Sequence, residues 1–149
     1  MPRRGCWIEP VSLSADELAA LSARAYAHME PWSARAFAGT LEQPGHLLVG
    51  EAGGFVLGMV VLDEAEILAL ATDPAVQRQG LGRRLLATFE QEAAARGATQ
   101  VFLEVAAANA PALGFYEACG YRVTGRRKAY YRHADGSRDD ALLMCRALT

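Results

Sequence analysis

The spacing of apolar and polar positions changes several times along the chain, and each change marks an element. After Ser14, the residues Leu18, Leu21, Ala25 and Met29 recur at helical spacing. Ser14 supplies the N-cap and Glu17, three residues on, its capping-box partner. "PWSARAFAGTL" predicts a second, short helix capped by Ser33. "HLLVGEAGGFVLGMVVLDEAEILALAT" reads as two or three strands, with Gly53-Gly54 at a hairpin turn and Asp63-Glu64 at the next break. Ahead of these, "WIEPVSL" predicts a first strand.

Helical spacing returns at Leu81. Leu85, Phe89 and Ala93 follow at intervals of four with Leu86 beside them, Arg83, Arg84, Glu90 and Gln91 fall on other faces, and Gly97 is the C-cap. "TQVFLEVAAAN", from Thr99 to Asn109, then reads as a strand apolar on both faces, hence buried on both. One carboxylate, Glu104, interrupts it, and a buried unpaired carboxylate is costly. In "NAPALGFYEACGY" Asn109 caps a short helix, Pro111 sits in its first turn and Gly120 ends it. "YRVTGRRKAYY" and "RDDALLMCRAL" predict two strands joined by "HADGS". The pattern is α+β, one domain over residues 1–149. Its strand–helix–strand crossover between residues 65 and 106 makes those two strands parallel if they share a sheet.

Composition narrows the class. A hydrophobic fraction of 52% with 21% charged residues is that of an ordinary globular protein. No apolar run has transmembrane length and "MPRRGCWIEP" lacks the apolar segment of a signal peptide, so a cytoplasmic protein with no membrane partner is expected. Cys6, Cys119 and Cys145 are odd in number and lack metal-like spacing, and His28, His46 and His133 are scattered. Buried thiols are expected rather than a disulfide or a zinc site. The net charge of −2 conceals an asymmetry, −6 over residues 1–76 and +4 over residues 77–149. The second half is suited to meeting an anion. Its basic residues form no long tract with interleaved aromatics, so direct nucleic-acid binding is not expected.

The anion has an obvious place. "QRQGLGRR" lies between a strand and a helix, where Gly80 and Gly82 allow close backbone approach and φ > 0. The first-turn N–H groups point into the same space, and Arg78, Arg83 and Arg84 add charge, so a pyrophosphate suits it. A Walker loop would need Lys-Ser/Thr where Arg83-Arg84 stand. A Rossmann loop would need a third glycine at Leu85 and its first glycine directly after the strand. Glu104 follows Gly80 by 24 residues, near the interval for a ribose-binding acid, but stands mid-strand and not at a strand end.

The pattern Gln/Arg-x-x-Gly-x-Gly/Ala is met by Gln77, Gly80 and Gly82, and it resembles the coenzyme A loop of the GCN5-related N-acetyltransferases, the GNAT superfamily. "ILALATDPAVQRQGLGRRLL" resembles that family's central motif and "LEVAAANAPALGFYEACGY" the segment after it. "GRRKAYYRHADGSRDDALLM" and "PWS" at Pro31 to Ser33 are similar to the bacterial ribosomal-protein alanine N-acetyltransferases of the RimI type. The resemblance implies a mixed, mostly antiparallel sheet with one splayed parallel strand pair, flanked by helices. It implies acetyl-coenzyme A as acetyl donor and no metal. Leu70, Ala71 and Thr72 match the strand whose backbone aligns the acetyl-pantetheine arm, where an N–H polarises the thioester carbonyl. The backbone N–H groups of Arg78, Gln79, Gly80, Leu81, Gly82 and Arg83 match the pyrophosphate cradle, and Asn109 an asparagine beside the cofactor.

In the same family Glu104 matches the general base and Tyr116 the acid that returns a proton to the coenzyme A thiolate. Tyr130 and Tyr131 are rival acids, Tyr131 is also a peptide contact, and Trp32 is a packing residue or a peptide contact. Where family tails often read Arg-Asn-Tyr-Tyr, this chain has Lys128-Ala129-Tyr130-Tyr131. The activity implied is direct acetyl transfer to a protein N-terminal α-amine, the alanine of a small-subunit ribosomal protein. Its rivals are a small amine or protein lysine as acceptor, a non-catalytic acyl-coenzyme A-binding module, and a small nucleotide-binding domain.

Overall fold

A computed structural model describes residues 13–25, 32–76, 79–132 and 135–148. Two helices come first, α1 (Ala15–Ala25) and α2 (Ala34–Leu41). The capping box forms as its sequence predicts: Glu17 N–H donates to Ser14 Oγ at 3.2 Å and Ser14 N–H to Glu17 Oε1 at 3.3 Å. Ser33 Oγ accepts from Ala36 N–H at the start of α2. Three strands follow, β1 (His46–Glu51), β2 (Gly54–Val61) and β3 (Glu64–Thr72). After a 3₁₀ turn come α3 (Leu81–Ala95), β4 (Gln100–Ala106), α4 (Ala110–Ala118), β5 (Arg122–Arg132) and β6 (Arg138–Ala147). The strand expected at Trp7 lies outside the described residues but for Leu13, as do Pro31, Cys6, His28 and His133.

The six strands form one sheet in the order β1-β2-β3-β4-β6-β5. Among the described strands only β3 and β4 run parallel, as the crossover through α3 requires. This is the mixed, mostly antiparallel α+β architecture expected of the sequence. Each face carries its own core. Leu18, Leu21 and Phe37 of α1 and α2 pack on Phe55 and Leu57. Leu81, Leu85, Leu86, Phe89 and Ala93 of α3 pack with Val56, Val101, Leu103 and Met144. Burying each such Leu or Phe contributes about 1.5–3 kcal/mol.

Three details depart from the sequence reading. β4 ends at Ala106, not Asn109, because the chain turns there: Asn109 N–H bonds back to the Ala106 carbonyl and the residue becomes the cap of α4. Glu90 is buried because β6 covers that side of α3; its carboxylate accepts from Arg146 Nη1 at 2.8 and 3.0 Å and from Tyr121 O–H at 3.2 Å. Cys119 and Cys145 are free but only half-buried.

The pairing of β2 with β3 contains an irregularity. Leu57 pairs with Ala69 and Gly58 with Ile67, so Leu68 is an extra residue on β3. The bulge reverses the facing of the strand. Ala65 and Ile67 point to the α3 core, whereas Ala69 and Ala71 point to the α1–α2 core. Opposite it only glycine fits, since a Cβ on Gly58 would strike the Glu66 carbonyl oxygen and lie 2.5 Å from Phe89 Cζ. The β2–β3 turn falls at Leu62-Asp63, one residue earlier than expected, and holds Leu62 at φ +55° with 88% of its surface exposed.

Gly58→Ala should therefore destabilise the protein by about 1–3 kcal/mol, read as a lower urea midpoint with an unchanged m-value. Leu62→Gly should raise the midpoint by about 1 kcal/mol equivalent, because it removes the left-handed penalty without loss of buried surface.

Candidate active site

The parallel pairing is short. It runs from Glu64 opposite Gln100 to Ile67 opposite Leu103, and there it stops. Beyond the bulge, β3 stays with β2 while β4 continues along β6, Glu104 opposite Leu143 and Ala106 opposite Ala141. The two strands diverge and open a cleft of about 650 Å³ in the middle of the sheet. Leu70, Ala71 and Thr72 form one wall, and Glu104, Val105 and Ala106 the other. Leu70 and Thr72 pair with Val56 and Gly54 of β2 along this wall.

The N-terminus of α3 closes one end. Gly80 is its N-cap at φ +76°, with no side-chain cap and no atom within 4 Å of where a Cβ would stand. The first-turn N–H groups lack intrahelical acceptors and carry the positive end of a 15-residue helix dipole. Gly80, Leu81, Gly82 and Arg83 line the cleft. Gly82 differs from the expectation of φ > 0. It lies within the helix, and its missing Cβ allows Phe115 Cζ of α4 to approach to 3.4 Å of that position. Of the loop's two described arginines, Arg83 lines the cleft, though its side chain also hydrogen-bonds Cys119 outside it. Arg84 turns away to Glu51 Oε1 at 2.7 Å and to the Gln79 carbonyl oxygen, and Arg78, with Gln77, lies outside the described residues. Gln79 is not among the lining residues.

Glu104 sits where the strands part, its side chain 20% exposed, with Arg127 Nε of β5 at 3.3 Å from Oε1. Divergence and an ion pair thus remove most of the cost of a carboxylate in this strand. Sequence reasoning missed two neighbours. One is Arg127; the other is Glu66 of β3, whose carboxyl is pushed up by burial first, then by the Glu104 charge, with Arg127 partly offsetting both. Their only signal is register: Glu66 lies opposite Phe102, two residues from Glu104 on one face.

Tyr116 and Tyr131 both line the cleft. Tyr116 is 9% exposed, its ring against Phe115 and Tyr121. Tyr130 is 52% exposed, beneath the Arg127 guanidinium at 5.4 Å. Asn109 combines both of its readings, since Oδ1 accepts from Ala112 N–H at 3.3 Å while the residue lines the cleft. Trp32 likewise packs on Phe37 and reaches the cleft. Neither Cys119 nor Cys145 lines it; burial pushes the Cys119 thiol up. Among the described residues no group of three or more His, Cys, Asp or Glu side chains could hold a metal, and no helix is long and apolar enough to cross a membrane.

A helix N-terminus facing a gap between splayed parallel strands is the arrangement that the resemblance to the coenzyme A-dependent acetyltransferases implies. Residues 12–121 match the acetyltransferase (GNAT) family. The chain is 40% identical over 125 residues to the ribosomal protein bS18-alanine N-acetyltransferase of Escherichia coli, covering 79% of this chain and 82% of that one. It is 37% identical over 139 residues to the N-alpha-acetyltransferase RimI of Mycobacterium tuberculosis, 83% of this chain and 86% of the relative. The crystal structure of the Escherichia coli ribosomal-protein alanine N-acetyltransferase superposes with a TM-score of 0.80 at 36% identity, covering 93% and 92% of the two chains. The chain belongs to the GNAT family of acetyltransferases, and acetyl-coenzyme A is its acetyl donor.

Glu66, exposed beside the cleft and not part of its lining, supplies a test of the charges around Glu104. Its folded-state pKa is raised, so its ionised form costs stability at neutral pH, and that cost disappears as pH falls below the unfolded value of about 4.3. Glu66→Gln should stabilise the protein at pH 7 and leave it nearly unchanged at pH 3.5, measured by urea denaturation at both.

Proposed function

We propose that this chain acetylates the N-terminal alanine of ribosomal protein bS18, as one domain spanning residues 1–149 and acting in the cytoplasm. The acceptor reading is supported by the alanine N-acetyltransferases to which the chain is 40% identical. One observation carries the mechanism: Glu104 and Tyr116 line the same cleft as the N-terminus of α3.

Acetyl-coenzyme A supplies an acyl group activated as a thioester. The first turn of α3, from Gly80 to Arg83, binds its pyrophosphate through backbone N–H groups, with Arg78 and Gln79 in the preceding loop and Asn109 on the far wall. The backbone of Leu70, Ala71 and Thr72 aligns the pantetheine arm and polarises the thioester carbonyl. Glu104 takes the amine proton, directly or through a water, as the new C–N bond forms. Tyr116 gives its proton to the departing sulfur as the C–S bond breaks. Tyr131, and Trp32 across the cleft, contact the acceptor peptide. Direct transfer is supported by the position of Cys119 and Cys145, neither of which lines the cleft.

The acceptor's own chemistry fits a partly exposed, ion-paired base. An α-amine with a pKa of about 7.7–8.0 is neutral in roughly a tenth of molecules at pH 7, whereas a lysine amine at about 10.4 is neutral in roughly one in a few thousand. Glu104 therefore has a light task with an N-terminus and a heavy one with lysine.

Glu104→Gln should lower kcat/KM for an alanine-initiated peptide by about 10²-fold, most at low pH, with acetyl-coenzyme A affinity nearly intact. Tyr116→Phe should lower kcat by a similar factor, again without loss of cofactor binding. An unchanged pH–rate profile would remove Glu104 from the base role, and faster turnover of a free amine than of the peptide would replace the acceptor.

A further inference from the structure

Two adjacent carboxylates at the start of β6 hold both sides of the cleft. Between Arg127 opposite Ala141 and Tyr131 opposite Asp139, β5 carries three residues where β6 carries only Asp140. The ladder cannot close over this mismatch, and Ala129 is left at φ +53°. The Asp140 side chain fills the place of the missing ladder acceptor. Its Oδ1 accepts Ala129 N–H at 2.8 Å and its Oδ2 accepts Arg126 Nε at 2.6 Å. These two bonds, with the backbone one first, hold its carboxyl below the usual range. The residues on either side of the bulge are the ones that reach the site: Arg127 meets Glu104 and Tyr131 lines the cleft.

The same dipeptide grips the other wall. Asp139 Oδ2 accepts Ala108 N–H at 2.9 Å, and the Asp140 carbonyl accepts Ala107 N–H at 2.8 Å. Ala107 and Ala108 lead from β4 into Asn109 and α4, the helix of Tyr116.

We propose that Asp139 and Asp140 are positioning residues with separable duties: Asp140 fixes the acceptor-side bulge, and Asp139 fixes the cofactor-side loop before Asn109. The proposal rests on the acetyltransferase reading of the cleft. Neither carboxylate takes part in the chemistry.

The test is steady-state kinetics with acetyl-coenzyme A and an alanine-initiated peptide varied in turn, on folded variants verified by circular dichroism. Asp140→Ala should raise the peptide KM about tenfold and leave the acetyl-coenzyme A KM within about twofold; Asp139→Ala, which removes the acceptor of Ala108 N–H, should do the reverse. Adding Ala129→Gly to Asp140→Ala should restore most of the peptide KM, because glycine adopts the left-handed conformation without a clamp. Equal rises in both KM values, or no rescue by Ala129→Gly, would overturn the proposal. If Asp140→Ala does not fold, Asp140→Asn, which keeps one acceptor oxygen and loses the other, takes its place: a rise in the peptide KM alone supports the assignment, and an equal rise in both KM values or none overturns it. Were the parent protein to transfer acetyl to no peptide or amine, the acetyltransferase reading would fail separately. Calorimetric binding of acetyl-coenzyme A would then decide the cofactor arm, weakened by Asp139→Ala if the assignment holds and unchanged if it does not.

Discussion

The architecture of the site depends on one extra residue. Leu68 has no partner across β2, and its insertion turns the second half of β3 over. Before it, β3 faces the α3 core and pairs with β4; after it, the strand faces α1 and α2 and pairs only with β2. A parallel sheet in register would have placed the two strands about 4.8 Å apart along their whole length. The bulge instead separates them at the level of Glu104. Its upkeep falls on Gly58 and Phe89, because the ring of α3 occupies the space a side chain at 58 would need. The core that stabilises α3 is thus the same packing that keeps the cleft open.

A gap inside a sheet exposes backbone and charge that a closed sheet would have neutralised, and the molecule divides these by sign. The α3 end presents first-turn N–H groups around an open left-handed glycine, with Arg83 at its edge. The acidic side presents Glu104, paired with Arg127, with the exposed Glu66 beside it. An anionic cofactor head and a basic amine therefore have distinct electrostatic addresses in one cleft. Arg84 illustrates how selective the division is. It is adjacent to Arg83 in sequence, yet its pairing with Glu51 removes it from the anion end.

Much of this was legible in the chain. Caps at Ser14, Ser33 and Asn109 are local chemistry, and each forms the predicted bond. The period of α3 and the crossover fixed the one parallel pair, since both follow from spacing alone. What escaped depends on register between distant segments. Glu90 reads as a solvent-facing helix residue until β6 brings Arg146 to it. Arg127 reads as part of a solvated basic strand until β5 lies beside β6 and its guanidinium reaches Glu104. The bulge at Leu68 carries no composition signal of its own; a run of apolar residues looks the same whether or not one of them is extra.

The acceptor side shows why the departure at Lys128-Ala129-Tyr130-Tyr131 is tolerable. A non-glycine residue in the left-handed region costs about 1–2 kcal/mol, and asparagine, which family tails often carry before the tyrosines, accepts that conformation more readily than alanine. The local cost at Ala129 is offset by the Asp140 acceptor opposite it. What the distortion achieves follows from the period of a strand. Side chains alternate faces, so one inserted residue would turn Tyr131 to the opposite side, whereas β5 carries two more residues than β6 over this interval. An even insertion preserves facing. Arg127 and Tyr131, four residues apart on β5, keep the facing of Ala141 and Asp139, two apart on β6. The backbone strain at one alanine thereby delivers a cation to Glu104 and a tyrosine to the cleft from a single edge strand.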